Sequence, residues 1–81
     1  MTREEKLDFL ARLVMYGAKV GYDANIADVE YFIFSIGGDM GLNMAGVRTS
    51  EHISYETGAL NAPEEDIISK VRDHLISLNP L

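Results

Sequence analysis

The sequence predicts a small all-α protein, on three observations. Apolar residues recur at helical spacing in two stretches near the N-terminus and in one at the C-terminus. Residues that favour helix starts precede these stretches, and glycine or proline follows each of them. An 81-residue chain has room for one hydrophobic core. We therefore expect a single compact four-helix domain, residues 1–81, with helices over residues 3–20, 26–37, 50–57 and 63–78, the third one short.

The first helix is predicted to begin at a capping box. Thr2 can accept from the backbone amide of Glu5, and the Glu5 carboxylate can reach back to the amide of Thr2. Apolar side chains then cover more than half of the helix circumference, namely Leu7, Phe9, Leu10, Ala11, Leu13, Val14, Tyr16, Ala18 and Val20. So broad an apolar surface predicts a central helix that packs against more than one neighbour.

The second predicted helix is the most apolar stretch of the chain. Asn25 is its predicted N-cap, and Asp28 lies in the first turn, where a negative charge is favourable. Gly37-Gly38 is its predicted end, because glycine adopts the left-handed conformation of a helix exit. A projection at about 100° per residue places five apolar residues on one core-facing arc: Ile26, Val29, Phe32, Ile33 and Ile36.

Two aromatic residues fall on the opposite side of that projection. Tyr31 and Phe34 lie beside Asp28 and Glu30, away from the predicted core stripe. One interpretation is that a second helix covers the two rings. The other is that they form an exposed aromatic anchor among acids, which is typical of a protein-binding surface.

An α+β fold with a small antiparallel sheet is the alternative. Residues 29–36 are rich in β-branched and aromatic side chains, and residues 47–57 alternate between apolar and polar side chains. Each strand would need the other as its partner, so both segments are strands or neither is. The predicted caps at Asn25 and Gly37-Gly38 favour helices.

The segment after the second predicted helix is rich in methionine, and the last helix has clear start and stop signals. Met40, Leu42 and Met44 are interpreted as gap-filling core, with an adaptable contact surface as the alternative. Pro63 is placed at the first position of the last helix, ahead of three acids. Its apolar stripe consists of Ile67, Ile68, Val71, Leu75 and Leu78. Asn79-Pro80 is its predicted end.

Charge is the most informative global property. The chain has 7 Lys+Arg and 13 Asp+Glu, a formal net charge of −6, and no cation lies between Val20 and Val47. A phosphate backbone needs a basic stripe, so direct nucleic-acid binding is not expected, whereas a basic protein partner is. The chain has no cysteine and no apolar run of about 20 residues, so we expect no disulfide, no membrane span and a cytoplasmic protein.

The residues carry no recognisable catalytic or cofactor motif. The glycine-rich segment 37–46 lacks both the Walker Lys-Ser/Thr pair and the dinucleotide glycine spacing. His52 and His74 have no spacing to a further ligand set. We therefore expect no enzyme activity, no metal site and no cofactor.

One short resemblance agrees with this interpretation. The runs Glu51-His52-Ile53-Ser54-Tyr55-Glu56 and Ala62-Pro63-Glu64-Glu65-Asp66-Ile67-Ile68 resemble the second half of the colicin and pyocin nuclease immunity proteins. The resemblance implies an acidic four-helix inhibitor that binds a basic toxin, with Tyr55 as a binding hot spot and Asp28, Glu30 and Tyr31 on helix 2 as further contacts. It covers less than a quarter of the chain. Ser54 and Glu56 stand where the family has a tyrosine and a proline, and the family's C-terminal tryptophan and glycine-lysine tail are absent.

The sequence thus predicts a non-catalytic acidic protein that binds another protein. Its most plausible role is an inhibitor that occupies a basic, nucleic-acid-binding surface, as immunity proteins and phage anti-defence proteins do. The alternative is a helical assembly or regulatory module that self-associates, for instance as a homodimer. The predicted partner-binding residues are Asp23, Asp28, Glu30, Tyr31, Phe34, Asp39, Tyr55 and Glu56.

Overall fold

A computed structural model describes residues 1–21, 26–47 and 63–80, with only the backbone for residues 18–21 and 26. These residues form three helices: α1 (Arg3–Gly21), α2 (Ile26–Asp39) and α3 (Glu64–Leu78). The described part of the chain contains no strand. The predicted short helix over residues 50–57, and the alternative strand over residues 47–57 beyond Val47, lie outside the described residues.

The helix α1 is central, as the breadth of its apolar surface predicts. It packs against both α2 and α3, whereas no Cα atom of α2 lies within 8 Å of one of α3. Its buried side chains are Leu7, Leu10, Ala11, Val14 and Met15, and α3 contributes Ile67, Ile68, Val71 and Leu75. The apolar surface of α1 is nevertheless wider than its buried face, because Phe9 and Tyr16 remain exposed.

The predicted capping box at the start of α1 is confirmed. The Thr2 amide donates to Glu5 Oε1 at 3.0 Å, and the Glu5 amide donates to Thr2 Oγ1 at 3.1 Å. The two hydrogen bonds with Thr2 hold the pKa of the Glu5 carboxyl below its ordinary value, and the bond from the Thr2 backbone has the larger effect. Two of the amides that a helix start leaves without an internal partner are thereby satisfied.

Residues 29–36 lie within the helix α2, so the alternative strand for this segment is wrong. The segment's β-branched and aromatic residues do not prevent a helix, because one face of that helix packs against α1. The helix also continues past its predicted end, with Gly37 and Gly38 both helical and Asp39 as its last residue.

The end of α2 is set by Gly41, at a φ of 78°. The Gly41 amide donates to Gly38 O at 2.9 Å, and the Leu42 amide donates to Gly37 O at 2.9 Å. These two bonds make a Schellman motif, which requires a left-handed residue where Gly41 lies. Gly37 has a different role, since a Cβ there would lie 2.5 Å from Cγ of Met44.

The predicted orientation of α2 is wrong by about 60° about its axis, at 100° per residue. Phe32, predicted as core, is 61% exposed, whereas Phe34, predicted on the opposite face, is half-buried and packs against the core. Ile33 and Gly37 are buried, with Val29 and Ile36 partly buried beside them. The close approach of Met44 to Gly37 brings this side of α2 inward. The predicted orientation missed this because glycine is not counted among the apolar residues of a hydrophobic stripe.

The segment 40–47 is part of the core, and the gap-filling interpretation of its methionines is confirmed. Met44 and Val47 are buried, while Met40 and Leu42 pack against the core from its edge. The segment adds the side chains that close the core at one end of the helices.

A pair of asparagines joins this segment to the end of α3. The Asn79 side chain donates to Asn43 O at 3.0 Å and to Leu75 O at 2.9 Å, and its Oδ1 accepts from the Asn43 amide at 2.7 Å. The Asn79 backbone carbonyl in turn accepts from the Arg3 guanidinium. The predicted end of α3 at Asn79-Pro80 is confirmed, but Pro63 occupies the N-cap and not the first helical position.

Charged residues link α1 and α3 along the surface. The Asp8 carboxylate accepts from Arg12 Nε at 2.8 Å and from Arg72 Nη1 at 3.0 Å, and Arg12 Nη1 lies 3.2 Å from Glu65 Oε1. The Arg12 hydrogen bond, opposed in part by desolvation, holds the pKa of Asp8 below its ordinary value. The pKa of Arg12 is raised, chiefly by its bond to Asp8. All four side chains are over a third exposed, so each pair contributes modestly to stability.

Replacing Gly41 and Gly38 by alanine should have opposite effects on stability. Gly41→Ala forces a side chain into left-handed backbone and should lower the free energy of unfolding by about 1–2 kcal/mol. Gly38→Ala should raise it by about 0.5–1 kcal/mol, because alanine restricts the unfolded chain and favours the helix. A Cβ at either position meets no atom within 4 Å, so the pair isolates backbone conformation. Urea unfolding followed by circular dichroism measures both, and effects of the same sign would contradict the Schellman motif.

Alanine should be more disruptive at Asn79 than at Asn43. Asn79→Ala removes both amide donors and the acceptor, and should cost about 2 kcal/mol. Asn43 contributes only backbone groups to the pair, so Asn43→Ala keeps those bonds. It removes two exposed bonds of the Asn43 side chain, one from the Ala45 amide at 3.0 Å and one to the Leu78 carbonyl at 3.4 Å, and should cost about 1 kcal/mol. Equal costs in thermal or urea unfolding would show that the reciprocal pair does not hold the segment.

Acid should destabilise the protein partly through Glu5 and Asp8. Because each folded-state pKa lies below its ordinary value, of 4.5 and 3.8 respectively, each contribution is complete above that value and is lost as the pH falls through the folded pKa. Glu5→Gln should reduce the fall of the melting temperature with decreasing pH below about 4.5, and Asp8→Asn should do so below about 3.8. Glu4→Gln removes a carboxylate outside both bonding groups and is the control. A profile as steep in both variants as in the wild type would contradict the assignment.

Candidate protein-binding surface

The outward face of α2 carries two exposed aromatic rings in series. Tyr31 is 77% exposed and Phe32 is 61% exposed, the two largest values among the aromatic side chains of the described residues. Asp28 lies three residues before Tyr31 and four before Phe32, so all three side chains are neighbours on the helix surface. Ser35 and Asp39 extend the same exposed face by two further steps of four residues. We call Asp28, Tyr31, Phe32, Ser35 and Asp39 the α2 outer face.

The packing of α2 explains why this face points outward. Ile33 and Gly37 are buried against the rest of the core, and they are four residues apart on the opposite side of the helix. Once those two positions face inward, the helical repeat turns Tyr31 and Ser35 to the surface. The position of Tyr31 and Phe32 is therefore fixed by the core and not by contacts of their own rings.

The α2 outer face is also negatively charged. Asp28 and Asp39 are exposed, and neither side chain makes a hydrogen bond or ion pair within the described part of the chain. Several cations of α1 and α3 are engaged elsewhere: Arg12 and Arg72 with Asp8, Arg3 with the Asn79 carbonyl, and Lys6 with the Met40 carbonyl at 3.4 Å. The two carboxylates are therefore available to a cation from outside.

An apolar groove runs between α1 and α2, next to this face. It has a volume of about 400 Å³, and its lining is almost entirely apolar: Leu13, Tyr16, Gly17, Asp28, Val29, Phe32 and Ile33. Tyr16 is 49% exposed at its α1 side, and Phe32 stands at its α2 side. Phe32 and Asp28 thus belong to both the groove and the α2 outer face.

Two further grooves among the described residues are of a different kind. One of about 370 Å³ lies near the start of α1, and its two cations, Arg3 and Lys6, donate to carbonyls at the ends of α3 and α2. Another of about 420 Å³, between α1 and α3, contains Asp8 and Arg72, which bind each other. The cations of both grooves, and Asp8, are thus already engaged in contacts that hold the fold together.

The predicted partner-binding residues divide into three groups. Asp28, Tyr31 and Asp39 lie together on the α2 outer face, exposed as a binding role requires. Glu30 and Phe34 are half-buried at the edge of the core, and Phe34 packs against it, so the expectation that Phe34 is an exposed anchor is wrong. Asp23, Tyr55 and Glu56 lie outside the described residues.

Phe9, Tyr16 and Phe32 are the exposed aromatic residues of the described part of the chain that sequence analysis did not select. Apolar residues flank each of these rings around its helix, so the apolar periodicity does not distinguish an exposed ring from a buried one. Phe32 is exposed because the contact between Gly37 and Met44 sets the rotation of α2 about its axis.

No group of three side chains among the described residues is placed to hold a metal ion. None of the described helices has the length and apolar character needed to cross a bilayer. No protein-family model, curated protein or solved structure matches the chain.

Proposed function

We propose that this chain is a non-catalytic binding protein that captures a partner protein through the α2 outer face. The observation that carries the proposal is the pair of exposed rings, Tyr31 and Phe32, flanked by the carboxylates of Asp28 and Asp39. Exposed aromatic side chains are costly in water and are enriched at the centres of protein interfaces.

The charges of this face favour a basic partner. A partner arginine can stack on the ring of Tyr31 or Phe32 while its guanidinium pairs with Asp28, three or four residues away on the same helix. Asp39 offers a second carboxylate two helical steps beyond Tyr31. The overall charge of −6 would raise the rate of encounter with such a partner.

The same charges weigh against self-association through this face. Two copies that met face to face would bring the Asp28 and Asp39 carboxylates of both chains into one interface, where like charges repel. We therefore place the self-associating module second to capture of a basic protein.

Within this proposal, the chain acts by occupation. A protein that binds nucleic acid has a basic surface, and an acidic protein seated on that surface excludes the phosphate backbone. An inhibitor of immunity-protein or phage anti-defence type is the concrete form of the proposal. It is supported by the chain's acidity, by the cation-free interval between Val20 and Val47, and by the exposed aromatic pair.

Tyr31→Ala should weaken partner capture without affecting stability. Tyr31 is 77% exposed, so its removal should change the melting temperature little, whereas loss of a hot-spot ring should weaken binding by about 2 kcal/mol, or about thirtyfold. The measurement is affinity capture from the native host lysate by the tagged chain, then isothermal titration with the purified partner at low and high salt. Ile76→Ala, at an exposed apolar position of α3, is the control and should bind as the wild type.

The proposal requires that one basic partner is recovered in stoichiometric amount. High salt should weaken its binding, and Tyr31→Ala and Asp28→Asn should each weaken its capture. A partner that binds Tyr31→Ala as tightly as the wild type would place the interface elsewhere. Recovery of the chain alone, with a dimer by light scattering that salt does not dissociate, would favour the self-associating module.

A further inference from the structure

The groove between α1 and α2 resembles the hydrophobic grooves in which proteins bind a further helix. On α1, Leu13 and Tyr16 line the groove three residues apart. Phe9, four residues before Leu13, is not part of the lining but extends the same stripe, with the spacing by which one helix contacts another. Phe9 is 40% exposed and Tyr16 is 49% exposed, so this stripe is not used up by the core. On α2, Val29 and Phe32 form the opposite wall at an interval of three residues.

The volume of the groove indicates more than one inserted side chain. A groove of about 400 Å³ exceeds what a single aliphatic side chain fills. Its walls are two helices that pack against each other, so the space between them is elongated. An apolar stripe along one face of a partner helix matches such a space, as in the recognition of amphipathic helices by hydrophobic grooves.

The rim of the groove selects the charge of the occupant. Asp28 is the one charged residue of the lining, it is exposed, and no described residue pairs with it. A basic side chain on the partner helix would meet this carboxylate, whereas a second copy of the chain would bring another Asp28 to the same rim. Charge complementarity therefore favours a basic helix over self-association.

From these observations we infer that the α1–α2 groove binds a basic amphipathic helix of the partner protein. The apolar face of that helix lies between Tyr16 and Phe32, and its lysine or arginine side chains lie toward Asp28 and the α2 outer face. The inference rests on the proposed function and specifies which element of the partner makes the contact.

The test uses synthetic peptides of about 18 residues in place of the partner. The probe contains leucine and lysine, with the leucines at helical intervals of three and four residues. One comparison peptide has the same composition in scrambled order, and another replaces lysine by glutamate. Fluorescence anisotropy measures affinity, and two-dimensional NMR of the wild-type chain locates the contact. We expect the patterned basic peptide to bind at least about tenfold more tightly than either comparison peptide.

Three variants with the same change of charge locate the peptide. Tyr16→Lys alters the groove from the α1 side, Tyr31→Lys alters the α2 outer face beyond the groove, and Ile76→Lys alters α3. Tyr16→Lys should weaken binding of the patterned peptide at least about tenfold relative to Ile76→Lys. Tyr31→Lys places a cation beside Asp28 but leaves both walls of the groove intact, so it should weaken binding less than Tyr16→Lys does. If Tyr16→Lys fails to fold by circular dichroism, Phe32→Lys at the opposite wall replaces it.

The outcomes separate this inference from the proposed function. NMR shifts at Leu13, Val29 and Phe32, with loss of affinity in Tyr16→Lys, support the groove. Equal binding of patterned and scrambled peptides, or affinity sensitive to Tyr31→Lys but not to Tyr16→Lys, overturns it. Capture of the natural partner that depends on Tyr31 and not on Tyr16 would then leave the proposed function standing without the groove.

Discussion

Burial of α1 between α2 and α3 is the constraint on which the rest of the structure depends. The two outer helices do not approach each other within 8 Å between Cα atoms. Among the described residues, the apolar side chains of each are therefore shielded from water by α1 and the segment 40–47. Leu10 and Val14 are fully buried at the middle of this arrangement. A change that turned α1 about its axis would expose both interfaces together, since one helix serves both.

Polar contacts at one end of the helices fix the register that this burial leaves open. Apolar packing alone tolerates small slides along the helix axes, whereas hydrogen bonds do not. Arg3 and Lys6, at the start of α1, donate to backbone carbonyls at the ends of α3 and α2, and the Asn43–Asn79 pair ties those ends together. Carbonyls near helix ends that would otherwise lack partners are satisfied in the process, with a favourable charge at each negative helix terminus.

The sequence was informative where a feature is local or where an apolar stripe is narrow. The capping box at Thr2 and Glu5 and the stripe of α3 both follow from residues within a few positions of each other. The orientation of α2 could not be predicted in this way, because the helix is apolar on most sides and Gly37, which is buried, contributes nothing to a hydrophobic pattern. The Asn43–Asn79 pair spans 36 positions and joins a backbone to a side chain, so no periodicity indicates it. In the candidate binding surface, Asp28, Tyr31 and Asp39 were predictable from charge and exposure, whereas Phe32 and Tyr16 were not.

The same rotation of α2 that removes Phe32 from the predicted core also produces the proposed binding surface. With Phe34 turned toward the core, Phe32 lies at the edge between the α2 outer face and the groove, in reach of whatever occupies either. Burying Phe32 instead would turn Gly37 away from Met44 and leave a gap in the core where those two residues meet. The stability of the core therefore holds an aromatic ring in water beside two carboxylates. An interface that covers this ring recovers its hydrophobic free energy without any rearrangement of the fold, which is the condition for tight binding at low conformational cost.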